Sequence, residues 1–126
     1  MSSTNPGPAQ TISTPQQAPI GNVQAEYILN VTLSPASVAA NTTAEQTFTV
    51  AGLQVGDFVE VNKPSVQAGL GIVNTRVSAA NTLAITFANN TAAPIVPTAS
   101  EVHYVCVTRP MAQAVTNGLP AALPLS

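Results

Sequence analysis

The sequence predicts an all-β protein, a small β-sandwich or barrel of about six to eight strands with extended N- and C-terminal arms. Three observations predict it. Apolar and polar residues alternate with a period of two in several short runs. Val, Ile and Thr fill those runs, which suits a pleated surface and disfavours helix. Turn residues then break the chain between one run and the next. Many short strands of this kind pack as a sandwich or close as a barrel.

The runs follow in order. In EYILNVTL, Tyr27, Leu29, Val31 and Leu33 share one face, and Ile28, Asn30 and Thr32 share the other. Ser34-Pro35 and Asn41 end that strand, and Val38–Gln46 is the one place where a helical turn fits. In EQTFTV, Gln46, Phe48 and Val50 alternate with Thr47 and Thr49. Gly56-Asp57 leads into FVEV at Phe58–Val61. Asn62, Pro64, Gly69 and Gly71 precede IVNTRV at Ile72–Val77. A short link, Ser78 to Asn81, joins this strand to TLAITF as a hairpin. There Leu83, Ile85 and Phe87 alternate with Thr82, Ala84 and Thr86. A longer loop runs from Asn89-Asn90 to Pro97. The last run, EVHYVCV, alternates Val102, Tyr104 and Cys106 with Glu101, His103, Val105 and Val107. Both tyrosines are expected on core faces.

The organisation is threefold. Residues 1–25 make a proline-rich arm, 26–110 the sandwich domain and 111–126 a C-terminal tail. Pro6, Pro8, Pro15 and Pro19 each fix φ and remove an amide donor, so the arm suits neither helix nor central strand. It reads either as a disordered tail or as an uncharged segment, with Ile12, Ile20 and Val23, that orders along another subunit. The tail holds Pro120 and Pro124 with Leu119, Leu123 and Leu125, and reads either as a frayed end or as a segment docked on a neighbouring molecule.

Composition narrows the function classes. Of 126 residues only 6% are charged, against about 25% in an average soluble domain. Three Lys or Arg against five Asp or Glu give a formal net charge of −2. Lys63, Arg76 and Arg109 stand far apart, so nucleic acid is not an expected partner. Neither a basic stretch nor an apolar run of membrane-spanning length is present, so no membrane is expected either. One cysteine excludes an intrachain disulfide. The start MSSTNPGPAQ lacks the marks of a signal peptide, which points to synthesis in a reducing cytoplasm.

Catalytic and metal-binding sets are missing, so no enzyme and no cofactor is expected. His103 and Cys106 lie three apart and point to opposite faces of a flat strand, which defeats a nucleophile pair and leaves a structural histidine. Asp57 and Glu60 are also three apart. They read as a solvated turn residue and a cross-strand partner for Lys63 or Arg76. Gly69-Leu70-Gly71 lacks the third glycine, helix and lysine of a phosphate loop, so a bend explains both glycines. The sequons at Asn30, Asn41 and Asn89 carry no weight without a secretory signal. Sugar binding wants exposed Trp or Tyr; the chain has no Trp and two Tyr.

The block from Gly52 to Pro110 carries a family resemblance. Its marks are Gly52-Leu53 with Val55-Gly56-Asp57, then Lys63 to Ile72 (KPSVQAGLGI), then Arg76 to Phe87 (RVSAANTLAITF) with Asn89 and Thr91, then Pro97-Thr98. It resembles a recurrent module of structural proteins in tailed bacteriophages. The resemblance implies a virion structural protein at the capsid surface, made in the host cytoplasm. It would be a decoration or cement protein that clamps adjacent major capsid proteins, self-associating as a homotrimer. A head-fibre or tail-associated module that binds a host surface is the alternative. No catalytic, cofactor or metal residues accompany the resemblance. Assembly contacts are expected instead from the arms, at Pro6, Pro8, Ile12, Pro15, Pro19, Ile20, Val23, Leu119, Leu123 and Leu125.

Overall fold

The alternating runs become six strands in the computed structural model, which describes residues 21–111 and 118–119. They are β1 (Val23–Leu33), β2 (Thr42–Thr49), β3 (Phe58–Asn62), β4 (Leu70–Ala79), β5 (Thr82–Asn89) and β6 (Glu101–Pro110). Two antiparallel sheets result, in the orders β1-β6-β3 and β2-β5-β4. They face each other as a small sandwich, and the described residues contain no helix. Only β4 and β5 are joined as a sequence-adjacent hairpin. Ala79 pairs with Thr82, which leaves Ala80-Asn81 as the turn. Asn81 takes φ 62 there, a left-handed conformation that Asn tolerates better than most side chains.

The core is aliphatic, with Phe87 as its largest fully buried side chain. Leu33, Val59, Val105 and Val107 come from one sheet and Val77, Leu83, Ile85 and Phe87 from the other. Val38, Val50 and Leu53 close it from the connections. Parity explains the choice: Leu83, Ile85 and Phe87 lie two apart on the central strand β5, so all three point inward. In β4 the alternation breaks. Ile72 pairs with Phe87 and Asn74 with Thr86, so Val73 is an extra, bulged residue. The bulge re-phases the strand, so that Leu70 and Ile72 before it and Thr75 and Val77 after it all lie on the covered side.

Polar groups hold the connections. Asn89, buried at the end of β5, satisfies its whole amide. Its nitrogen donates to the Val38 and Ala93 carbonyls at 3.1 and 2.8 Å. Its oxygen accepts from the Thr91 amide at 2.9 Å and hydroxyl at 2.7 Å. At Gly69, φ is +83 and a Cβ would collide with the Thr91 methyl, so this position needs glycine. Gly71 is different: it lies within β4 with open space above it.

Two expectations need correction, the arm boundary and the helical turn. The strand β1 begins at Val23, so the arm boundary at residue 25 falls inside it; Val23 is half-buried opposite Pro110. No helical turn forms in Val38–Gln46. Val38 instead makes an isolated bridge with Ile95, and Thr42–Gln46 pairs with β5, because a ready partner strand outweighs weak local helix propensity. Leu119 is 81% exposed. The contacts expected at Pro6, Pro8, Ile12, Pro15, Pro19, Ile20, Leu123 and Leu125 lie outside the described residues. The body's two ends meet, since the Met111 amide donates to the Asn22 carbonyl at 2.6 Å.

Candidate functional site

Sheet register sets the outer face of β1-β6-β3. Across it, Asn30, Tyr104 and Asn62 form one row. The next row is Ile28, Cys106 and Glu60, and the next Glu26, Thr108 and Phe58. On this solvent side Ile28 is 72%, Phe58 75% and Tyr104 44% exposed. Large apolar side chains therefore stand on a sheet face that nothing in the chain's described residues covers. A groove of about 850 Å³ borders it, lined by Tyr104, Cys106 and Glu60 and by Val66 and Val73 beyond the β3 edge. A second hollow of about 480 Å³ adjoins, lined by Glu26, Phe58 and Thr108. Thr75 Oγ1 donates to the Val59 carbonyl at 2.6 Å, which ties β4 to β3 beneath both.

The tyrosines are a correction. Tyr104 faces out because His103, Val105 and Val107 of the same strand face in. Both faces of EVHYVCV are similarly apolar, so periodicity alone cannot choose between them. The pairing of Val59 with Val107 and of Val61 with Val105 decides it. Tyr27 has core parity but sits on an edge strand and is 63% exposed. In FVEV a usable signal existed: Glu60 marks the wet face, and Phe58 shares its parity.

Ion pairs arrange the charges. Arg109 grips Asp57 with Nε–Oδ1 at 2.8 Å and a second contact to Oδ2 at 2.7 Å, and also donates to the Gly52 carbonyl at 2.8 Å. The Arg109 guanidinium holds the Asp57 carboxyl below its ordinary range, helped by the Gln54 amide and opposed by burial. Asp57 is thus a buried staple of the Gly52–Asp57 connection rather than a solvated turn residue. Arg76 pairs with Glu45 at 2.7 Å, across the outer face of β5, and not with Glu60. Lys63 pairs with Glu101 at 3.3 Å. The expected partnership of Glu60 with Lys63 or Arg76 does not form, because both cations find nearer carboxylates.

His103 is fully buried, as a structural histidine should be. Its Nδ1 lies 3.0 Å from the Glu101 carbonyl. A carbonyl only accepts, so Nδ1 carries the proton, and Nε2 is left without a partner. Cys106 lies on the opposite face, its Sγ 3.7 Å from Glu26 Oε2. Burial, then the nearby Glu26 and Glu60 charges, push its thiol up, which is the wrong direction for a nucleophile. Among the described residues no three His, Cys, Asp or Glu side chains gather as a metal-binding group. The arrangement offers adhesion: apolar side chains, a groove and two acidic groups on one face. No family model, curated protein or solved structure matches the chain.

Proposed function

We propose that this chain is a virion structural protein of a tailed bacteriophage, a capsid decoration or cement protein that clamps adjacent major capsid proteins and stabilises the head. The uncovered apolar face around Ile28, Phe58 and Tyr104 carries this reading. The phage-module resemblance of Gly52–Pro110 supports it from the sequence side, and a chain with 6% charged residues has little to desolvate on contact. Clamping works by mass action: a protein that binds the assembled shell and not its separated subunits shifts the balance toward the shell. Copies of the chain associate with one another, as a homotrimer, while each also meets coat protein.

Co-sedimentation with empty capsids of the phage tests this. Wild-type chain is expected in the pellet and is expected to raise the temperature at which shells disassemble. Absence from purified particles, with the chain free in the lysate, would overturn it. A second reading has one specific observation in its favour: Tyr104 stands exposed beside the groove, where an aromatic platform could hold a host-surface sugar. A glycan array answered by binding that is lost in Tyr104→Ala would favour that host-binding module.

A further inference from the structure

We propose that the outer face of β1-β6-β3 docks a segment of a different protein that presents a Lys or Arg between apolar side chains, with the cation seated between Glu26 and Glu60. The inference rests on the reading that this face is a contact surface, and it specifies the partner.

Charge is unevenly distributed over the molecule. All three cations of the chain are engaged: Lys63 with Glu101, Arg76 with Glu45 and Arg109 with Asp57. Three of the five carboxylates are thereby neutralised, leaving Glu26 and Glu60. The formal charge of −2 therefore resides on these two side chains, and both belong to the same sheet face. Glu60 lies directly across from Cys106, and Glu26 directly across from the next outward residue, Thr108. Glu26 is held toward β6, accepting from the Thr108 hydroxyl at 3.0 Å. Cys106 and Thr108 of β6 stand between them, Ile28 and Phe58 close the opposite ends of the same two rows and Tyr104 stands in the next, so the apolar surface and the unneutralised charge share one face.

That coincidence selects the occupant. A second copy turning the same face toward this one would set carboxylate against carboxylate, which is repulsive. The segments 1–20 and 112–126 carry no charged side chain to offer. Every cationic side chain is already paired, so a complementary Lys or Arg must come from another protein. A trimer joins unlike surfaces of its copies, and no such surface brings an unpaired cationic side chain to this face.

The full chain, labelled with 15N, tests this against two peptides, Ac-Thr-Val-Arg-Val-Thr-NH2 and its Glu-centred counterpart. The Arg peptide is expected to shift amides of Ile28, Glu60, Tyr104 and Cys106 at low salt. Its affinity is expected to fall about fivefold in the doubly substituted Glu26→Gln, Glu60→Gln chain, the scale of two exposed charge pairs. Equal responses to both peptides, or an affinity indifferent to the double substitution, would overturn the proposal. Capsid co-sedimentation separates the two claims. Shells that retain the double variant as well as wild type defeat the charge-directed docking and leave the decoration role standing. An Arg-specific response on this face, with no binding to shells, supports the docking chemistry and defeats the decoration role.

Discussion

Asp57 accepts three hydrogen bonds in a site that leaves its side chain 2% exposed. Removing it strands the Arg109 guanidinium beside the Gly52–Asp57 connection. Asp57→Ala is expected to destabilise the fold by about 2 kcal/mol, less than a fully buried pair because Arg109 keeps some solvent. Chemical denaturation measures this directly. The pair also sets a pH dependence. The Asp57 carboxyl is lowered from 3.8, and Glu45 and Glu101 from 4.5. A depressed folded-state value means stabilisation that is complete above those ordinary values and is lost as pH falls through the folded ones. The melting temperature is therefore expected to decline below about pH 4.5 as these carboxylates protonate. The gap between wild type and Asp57→Asn should narrow over the same interval in thermal scans. Asn89 allows a sharper test. Its amide nitrogen faces two carbonyls, so Asn89→Asp replaces two donors with an acceptor among acceptors. That exchange is expected to cost about 3 kcal/mol, since buried groups left unpaired cost about 1–3 kcal/mol each. These residues were hard to read from sequence. Asp57 and Arg109 stand 52 positions apart, and a sequon pattern at Asn89 gives no hint of burial.

The strands themselves were legible, because period two survives wherever one face is covered. Leu83, Ile85 and Phe87 named their own side, and the short link to β5 marked its hairpin. Strand β4 shows no single apolar face in the sequence, since Ile72 and Val77 have opposite parity. The bulge at Val73 explains the mismatch and makes a prediction. Deleting Val73 removes the extra residue and leaves Ile72 opposite Phe87, Asn74 opposite Thr86 and the inward residues in phase. The deletion is expected to fold, with a far-UV spectrum like wild type. Deleting Ala84 from β5 instead throws Ile85 and Phe87 out of phase with Leu83 and is expected to abolish the cooperative thermal transition. The face of β6 escaped sequence reading for a different reason. Both of its sides are apolar enough to be buried, and only the neighbours β1 and β3 choose between them.

At the scale of the molecule, charge is sparse and unevenly placed. Three acid–base pairs leave two carboxylates on one sheet face, so the body presents one acidic side. Association with a cationic surface is expected to weaken as salt rises, because exposed charges are screened over about 8–10 Å at ordinary ionic strength. Binding to shells at 50 and 300 mM NaCl would show it; an unchanged affinity would count against an electrostatic component.

The Met111 amide meets the Asn22 carbonyl, so the strand that opens the described body and the strand that closes it start and finish side by side. Neighbouring ends of this kind suit circular permutation. A chain rejoined by a short linker between Asn22 and Met111, and reopened in the turn at Ala80-Asn81, is therefore expected to keep a single cooperative melting transition.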